Sequence, residues 1–327
     1  MALERPCVYI LIRVMKKKLL IVTDGKAGHE NQSKAFCRAL DYDYDCVLAS
    51  YPTRFHKALS YLIDRLGFVL DYPFKIESTN GYYDAVVCTG STTFYPGKIA
   101  ARRRGIPVVA ILYPSGYKKM NFDCILAPSF DRPLPYPNII PVPVNLASPD
   151  AAFYDEGVAT FRARHNTARR AVSVIIGGPN AIAAMKVGEM RHELDRVFAL
   201  TPEHEHWVTT SRRTPKAIEE LVDAYPFEYK LLYSRDKFNP IPAFVMLCER
   251  IFVTAESTGM ISEAVTRGTA FVEVVMNLKK DGSKFGRFIA NLEREQAVHV
   301  FDGTLGQANH KIDLTPIYEK SRVLLKL

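Results

Sequence analysis

The chain has 327 residues, of which 48% are hydrophobic and 11% aromatic, so it is long enough for two folded domains and too apolar for a disordered protein. Its formal charge of +8 comes from scattered lysines and arginines. That charge suits an anionic ligand or an anionic membrane surface, and the lack of a basic arm or a nucleic-acid motif argues against nucleic acid as a partner. Six cysteines without a C-x-x-C pair favour a reducing compartment and no zinc site.

The first fourteen residues precede what looks like a natural start. Met15 is followed by three lysines and by the first predicted strand, so we expect translation to start at Met15 and residues 1–14 to be a mis-assigned extension. A weak signal anchor, formed by the short apolar run 8–14, is the alternative. Since no apolar run has the length of a membrane span, we expect a cytoplasmic protein, with a peripheral position at the inner membrane as the alternative.

Strands alternate with helices through the first part of the chain. Strands are predicted at 19–23, 45–49, 85–88, 108–112, 124–127 and 139–141, and helices at 31–40, 55–68 and 95–104. Continuous apolar strands separated by helices are typical of a parallel sheet that is covered on both faces. The helix 55–68 carries an apolar stripe that we expect to face the core. Contact of this helix with a membrane surface is the alternative.

A proline-rich segment, 132–149, is the predicted hinge, and the same pattern restarts after it. Strands are predicted at 171–176, 206–210, 229–233, 250–253 and 271–275, and helices at 187–200, 215–225 and 242–248. The two halves predict an α/β protein of two doubly wound, Rossmann-like domains that face a cleft. The predicted boundaries are 15–145 and 165–310, followed by a C-terminal helix over 311–327.

The most informative segment runs from the strand at 250–253 through a small polar turn into a helix. Ser257, Thr258 and Gly259 stand where this helix begins, and the free amides and partial positive charge of a helix N-terminus suit a phosphate. Glu263 follows one turn later, placed to accept hydrogen bonds from sugar hydroxyls. This arrangement is typical of the way in which two-domain GT-B glycosyltransferases hold a nucleotide sugar. We therefore assign the domain 165–310 to the donor and the domain 15–145 to the acceptor.

Three further segments of the second domain are candidates for the donor site, because ligands of parallel sheets bind at the carboxyl ends of strands. Gly177 and Gly178 would let backbone amides reach a diphosphate. Ser211 and Arg212 form a candidate phosphate- or base-binding loop, with solvated surface arginines as the alternative. Lys284 lies in a basic stretch, interpreted as a loop, that would neutralise a leaving diphosphate. An ordinary exposed loop is the alternative.

The loop after the first strand concentrates glycines and titratable groups. Gly25 and Gly28 allow a tight turn, with Lys26 between them. Asp24 or His29 is the candidate general base for an acceptor hydroxyl. A simple glycine-containing turn is the alternative.

A second acceptor-side loop follows the strand at 85–88. Gly90 and Ser91 would line the acceptor site there, and a plain helix cap is the alternative. The D-x-D pattern within 41–45 lies at the amino end of the sheet, so we interpret it as a solvated turn and predict no metal. No cofactor is predicted either, since the nucleotide sugar is a co-substrate.

Four segments carry a resemblance to a known family, and they occur in the family's order. They are DGKAGHENQ at 24–32, TTSRRTP at 209–215, TAESTGMISEA at 254–264 and KFGRF at 284–288. With them, the sequence resembles the Elm-type mitochondrial fission family, whose bacterial members are described as GT-B glycosyltransferases. The resemblance implies a GT-B fold and a nucleotide-linked donor. The acidic pair usual before the family's serine is Ala255-Glu256 here.

Three functions are weighed at this point. The first is metal-independent transfer of a sugar from a nucleotide-activated donor to an envelope glycan or lipid. The second is a non-catalytic adaptor, which the plant relatives resemble; the intact polar loops argue against it. The third is a nucleotide-sugar epimerase, which we disfavour because the segment 25–28 lacks the G-x-G-x-x-G spacing of a dinucleotide site.

Overall fold

The structure is a computed structural model that describes residues 16–148, 150–279 and 282–327. The predicted extension or anchor at 1–14 and the last residue of the predicted hinge, Pro149, lie outside the described residues. Among the helices of the described ranges, none combines the length and the apolarity that a membrane crossing needs.

The first domain is built on a seven-stranded sheet. Its strands are β1 (Lys18–Thr23), β2 (Asp43–Ser50), β3 (Lys75–Ile76), β4 (Ala85–Thr89), β5 (Val108–Ile111), β6 (Cys124–Pro128) and β7 (Ile139–Val142). Its helices are α1 (Ala27–Ala39), α2 (Arg54–Leu66) and α3 (Phe94–Arg104). The strand order is β3-β2-β1-β4-β5-β6-β7, and every pair is parallel except β2 with β3.

The second domain repeats this plan with six parallel strands. A helix, α4 (Ala151–Arg164), precedes β8 (Ala171–Ile176), β9 (Glu205–Thr210), β10 (Tyr229–Leu231), β11 (Arg250–Thr254), β12 (Phe271–Val275) and β13 (His299–Val300). The other helices are α5 (Val187–Leu200), α6 (Lys216–Ala224), α7 (Ile241–Leu247), α8 (Thr258–Thr266), α9 (Lys284–Arg294) and α10 (Thr315–Leu325). The strand order is β10-β9-β8-β11-β12-β13.

Both sheets reverse their strand order beside their first strand, between β1 and β4 and between β8 and β11. The strands at these points are apolar throughout because helices cover both faces: β4, β8 and β11 are buried at every position. A ligand crevice forms at the carboxyl ends of strands at such a reversal. The predicted fold class, two doubly wound domains of GT-B architecture facing a cleft, is confirmed.

Contacts between the domains fix their relative placement. The amide of Asn145 donates to Ser262 Oγ of α8 at 3.0 Å. The Arg287 guanidinium of α9 donates twice, at 3.2 and 3.1 Å, to the carbonyl oxygen of Phe130 in the first domain. The C-terminal helix α10 returns to pack on α1, β6 and β7, so it completes the first domain.

Two helices differ from the sequence prediction in ways that matter for the site. α1 begins at Ala27 and not at 31, so Gly28 and His29 stand in its first turn. The basic stretch around Lys284, interpreted as a loop, is helical from Lys284 onward. Its helix, α9, is capped by Ser283, whose hydroxyl oxygen accepts the amide of Gly286 at 3.1 Å. Both changes bring helix N-termini toward the cleft.

The orientation of α2 is the main error of the fold prediction. Its apolar stripe was expected to face the core, yet Leu62 and Leu66 are 53% and 61% exposed, and Phe55 is 71% exposed. The side that faces the core carries Ile63 of the stripe together with the polar Ser60 and Asp64, and the buried Asp64 carboxylate pairs with Lys98 of α3. Only one edge of the apolar stripe is therefore buried, and the ion pair anchors the buried face of the helix.

Candidate active site

A cavity of about 670 Å³ opens between the two domains at the carboxyl ends of their strands. The first turns of four helices contribute to its wall. α1 and α3 approach from the first domain, with α3 represented by Phe94 alone, and α8 and α9 approach from the second. The lining residues that were predicted from the sequence are Gly28, His29, Gly90, Ser91, Thr258, Gly259 and Lys284. The predicted acceptor and donor segments therefore meet in one cavity.

A second wide depression, of about 760 Å³, lies elsewhere, at the amino end of the first sheet. It is lined by the D-x-D segment, whose Asp43 and Asp45 belong to the start of β2 and not to a turn as predicted. Asp41 and Asp43 pair with Lys16, and Asp45 pairs with Lys18. These are solvent-accessible ion pairs, the kind that contributes little to stability. Ligand chemistry is expected at the opposite, carboxyl end of the strands.

The N-terminus of α8 faces the cavity without a side-chain cap. Ser257 is the N-cap residue, but its hydroxyl donates to Glu256 at 3.2 Å and caps no helix amide. Thr258 Oγ1 accepts a hydrogen bond from Asn145 Nδ2 at 3.2 Å, and Gly259 is exposed. Since the first amides of a helix have no intrahelical acceptor, this turn presents N–H donors and the positive end of the helix dipole to the cleft.

Glu256, whose role the sequence left open, ties three loops of the second domain together. Its buried carboxylate accepts hydrogen bonds from the amide of Gly178 (2.7 Å), Thr254 Oγ1 (3.0 Å), Ser257 Oγ (3.2 Å) and Asn277 Nδ2 (2.6 Å). A carboxylate only accepts, so four donors suit it. The loops after β8, β11 and β12 are thereby held in one arrangement behind the N-terminus of α8.

Gly177 and Gly178 do not offer their amides to the cleft, contrary to the prediction. The amide of Gly177 donates to Thr254 Oγ1 at 2.9 Å, and that of Gly178 to Glu256. A Cβ on Gly178 would stand 2.3 Å from the carbonyl oxygen of Arg213, closer than real contacts allow. These glycines are needed for the close packing of loops, so they support the donor site without forming it.

The loop with Ser211 and Arg212 is also outside the residues that line the cavity. The amide of Ser211 donates to Thr214 Oγ1 at 2.8 Å, and Ser211 Oγ accepts the amide of Arg213 at 3.2 Å, so this segment is a hydroxyl-stabilised turn. Arg212 is exposed. A contact of Arg212 with a ligand stays a prediction.

Glu263 lies one turn into α8, as predicted, but it does not line the cavity. Its carboxyl lies beside Tyr154 of α4 and Arg267. Burial raises the pKa of Glu263 to about 7, and the opposing effects of Tyr154 and Arg267 are smaller. The predicted contact with sugar hydroxyls is therefore not available in this arrangement.

Asp24 and His29 form a hydrogen-bonded pair on the acceptor side. His29 Nδ1 lies 3.1 Å from Asp24 Oδ1, and Lys26 Nζ lies 2.7 Å from Asp24 Oδ2. Burial raises the pKa of Asp24, but Lys26 and His29 outweigh it and hold that pKa below its usual range. With its side chain only 4% exposed, Asp24 is a poor base for a substrate. His29, which lines the cavity and keeps Nε2 for a substrate, is the better candidate.

Two glycines shape this side of the cavity. Gly25 has φ +74° and Gly90 has φ +86°, backbone conformations that side chains rarely adopt. A Cβ on Gly90 would stand 2.5 Å from the ring of His29, so the imidazole packs directly on this backbone. Gly25 therefore lets the chain turn into α1, and Gly90 makes room for the candidate base.

Sequence reasoning missed residues of distant elements that line the cavity or hold the side chains that line it. Lys57 of α2 donates to Ser91 Oγ at 2.8 Å, and burial together with nearby Lys26 lowers the Lys57 pKa. Asn145 and Phe285 line the cavity from the interdomain segment and from α9. Nothing in the local pattern around Lys57 marks it, because its place depends on how α2 packs.

The family model for mitochondrial fission ELM1 matches residues 27–324. The chain belongs to the mitochondrial fission ELM1 family. A search of curated proteins finds no significant match for this family member. The resemblance derived from the four sequence segments is thus confirmed.

Solved structures with a similar fold include enzymes whose names contain nucleotide sugars. The UDP-GlcNAc 2-epimerase of Neisseria meningitidis, solved with UDP-GlcNAc bound, has a TM-score of 0.50 and 14% identity over 96% of this chain and 100% of that chain. MurG of Acinetobacter baumannii has a TM-score of 0.48 and 14% identity over 95% of this chain and 92% of that chain. The E. coli ADP-heptose LPS heptosyltransferase II has a TM-score of 0.46 and 11% identity over 95% of this chain and 98% of that chain.

At these identities the likeness concerns the fold alone. The ELM1-family chain shares that fold with an epimerase, so the fold alone does not decide which reaction the site performs. The reaction has to be argued from the site.

Proposed function

We propose that this ELM1-family protein is a glycosyltransferase that moves a sugar from a nucleotide-activated donor to an envelope glycan or lipid. The observation that supports it is the meeting of two features in one cavity. His29, held by Asp24, lines it from the first domain, and the uncapped first turn of α8 lines it from the second. A base for the acceptor and a site for an anionic leaving group, facing each other, are what glycosyl transfer requires.

The donor diphosphate binds at the first turn of α8 in this proposal. The amides around Thr258 and Gly259 contact its oxygens, and Lys284 of α9 adds a full positive charge. Lys284 Nζ lies 3.7 Å from Asp131, a loose pairing that leaves the ammonium able to turn toward a ligand. Because helix dipole and lysine supply the positive charge, the reaction needs no metal and no cofactor beyond the nucleotide-sugar co-substrate.

The acceptor hydroxyl binds on the His29 side. Nε2 of His29 takes the hydroxyl proton while the oxygen attacks the anomeric carbon, and the bond from that carbon to the diphosphate breaks. The electron pair of that bond leaves with the diphosphate, whose charge α8 and Lys284 stabilise. Asp24 keeps Nδ1 hydrogen-bonded and stabilises the imidazolium, so it is a positioning residue. We place this reaction in the cytoplasm, at the inner face of the membrane that carries the acceptor.

Calorimetric titration with UDP, GDP, ADP, CDP and dTDP tests the proposal. We expect one or more of them to bind, and a matched pair of variants at Gly259 to locate the site, since a Cβ there meets open space. Gly259→Asp puts a negative charge where the phosphate would bind and should weaken binding at least about tenfold. Gly259→Asn has the same shape without the charge and should keep most of the affinity.

The variants also separate lost binding from lost folding. An aspartate in the first turn of a helix interacts favourably with the helix dipole, so Gly259→Asp should unfold at the same or a higher temperature than the wild type. If no nucleotide binds, the non-catalytic adaptor becomes the better interpretation. If the two variants bind equally, the donor site is not at α8.

A further inference from the structure

The first domain exposes a group of apolar side chains along α2 and the segment that follows it, which we call the α2 patch. It consists of Phe55, Leu62, Leu66, Phe68, Leu70 and Tyr72, each of which is at least 45% exposed. The three members on α2 recur at helical spacing and so share one face of the helix. Contiguous apolar surfaces of this kind mark interaction sites in folded proteins.

A buried ion pair holds this apolar face outward. Asp64, on the opposite side of α2, pairs with Lys98 and accepts the amide of Lys118 at 2.7 Å, and both charged side chains are more than nine-tenths buried. Ser60 Oγ lies 3.0 Å from the hydroxyl of Tyr117 on the same side. Rotating α2 to bury the patch would leave both charges without partners, which is strongly unfavourable. The exposure is therefore built into the packing of the domain.

The charges around the α2 patch are positive. Arg54 and Arg65 are exposed on α2, and Lys118, whose Nζ lies 3.7 Å from where a Cβ on Gly67 would stand, is exposed beside its end. The two acidic residues between 51 and 72 are both neutralised: Asp64 by Lys98, and Asp71 by Arg103. An apolar helix face flanked by arginine and lysine is typical of helices that lie in the surface of an anionic bilayer.

We propose that the α2 patch docks onto an anionic lipid bilayer. A second copy of the chain fits the patch less well, since a symmetric contact would bring the same arginines together. The docking also adds a membrane as a partner in the proposed function, because α2 reaches the cavity. Tyr61 of α2 lines the cavity, and Lys57 of α2 donates to Ser91, which lines it as well. A bilayer bound at α2 lies next to the acceptor side of the cleft. The docking itself does not depend on sugar transfer.

Co-sedimentation of the full chain with lipid vesicles tests the docking. We expect binding to phosphatidylcholine vesicles that contain phosphatidylglycerol, and weaker binding without the anionic lipid or at high salt. The triple variant Leu62→Gln, Leu66→Gln and Phe68→Gln should lose at least about tenfold in affinity, because three side chains no longer enter the apolar layer. Val323→Gln, at a 76% exposed position on α10, is the matched control and should bind as the wild type does.

A second variant reports insertion without removing apolar surface. The fluorescence emission of the tryptophan in the Phe68→Trp variant should shift to shorter wavelength when anionic vesicles are added. The buried Trp207 contributes a constant signal. Absence of vesicle binding, equal binding of the triple variant, or a dimer that the triple variant dissociates would each overturn the proposal. Nucleotide titration is a separate measurement, so failure of the docking and failure of the transferase proposal are distinguishable.

Discussion

Glu256 Oε1 accepts the backbone amide of Gly178 at 2.7 Å, across the point at which the second sheet reverses its strand order. The two residues are 78 positions apart in the sequence. The same carboxylate takes hydrogen bonds from Thr254 at the end of β11, and from Ser257 and Asn277 in the loops after β11 and β12. One buried side chain thus positions the turn that begins α8, and the donor site we propose depends on it.

Glu256→Gln should destabilise the protein by about 2 kcal/mol. All four contacts of the carboxylate are with donors, so the NH₂ group of glutamine would face a donor and leave buried groups unpaired. Urea unfolding measures the change. Glu220→Gln is the control: this exposed glutamate pairs only weakly, at 3.4 Å, with Lys216, and its replacement should cost less than about 0.5 kcal/mol. Equal stabilities of the two variants would contradict the role given to Glu256.

Gly178→Ala and Gly188→Ala should have opposite effects. A Cβ on Gly178 would meet the backbone of Arg213 at 2.3 Å, so loops must separate, at a cost of about 2 kcal/mol or more. Gly188 lies in α5 with open space around it, and alanine there should stabilise the helix by about 0.5 to 1 kcal/mol. Thermal unfolding of both variants checks the signs. A stable Gly178→Ala protein would mean that the loops can move apart freely.

Asp24→Asn should reduce turnover about a hundredfold or more without weakening nucleotide binding. The amide keeps the shape of the side chain but no longer holds His29 in the orientation and tautomer that leave Nε2 able to accept a proton. Release of nucleoside diphosphate from the sugar donor measures turnover, and calorimetry measures binding. Asp45→Asn, which alters an exposed aspartate that pairs with Lys18 far from the cleft, is the control. Turnover of Asp24→Asn within twofold of wild type would remove the pair from the mechanism.

Glu263→Gln should stabilise the protein above pH 7 and change little at pH 4. Burial raises the pKa of Glu263 to about 7 from its usual value of 4.5. Between these values the unfolded chain has lost the proton that the folded chain keeps, so stability falls as pH rises through this window and stays lower above it. Because glutamine cannot ionise, the free energy of unfolding of the variant should exceed that of the wild type by on the order of 2 kcal/mol at pH 8. Unfolding curves of the wild type and the variant at pH 4 and pH 8 test this. The same difference in stability between the two proteins at both pH values would contradict the raised pKa of Glu263.

The domain plan could be predicted from the sequence because it depends on local patterns. Apolar strands alternating with helices gave the doubly wound sheets, and polar loops after β1, β4 and β11 gave six of the residues that line the cavity. The loop after β8 shows the limit of this reasoning. Gly177 and Gly178 were recognised, but the partners that occupy their amides, Thr254 and Glu256, are nearly eighty residues away.

The orientation of α2 shows a second limit. Periodicity identifies which side chains share a helix face, but it does not say which face meets the sheet. For α2 the answer depends on the pairing of Asp64 with Lys98, 34 residues later on another helix. The stripe assigned to the core included Ile63, which is buried there, but also Phe55, Leu62 and Leu66, which the fold presents to the outside.

The most direct test of the central claim is a crystal of the protein soaked with a mixture of nucleoside diphosphates. The account predicts a diphosphate in the interdomain cavity, with its oxygens within about 3 Å of the first-turn amides of α8 at Thr258 and Gly259. It also predicts Lys284 turned toward the same oxygens. A nucleotide bound away from α8, or a cavity that stays empty at concentrations that saturate nucleotide-sugar enzymes, would contradict the account.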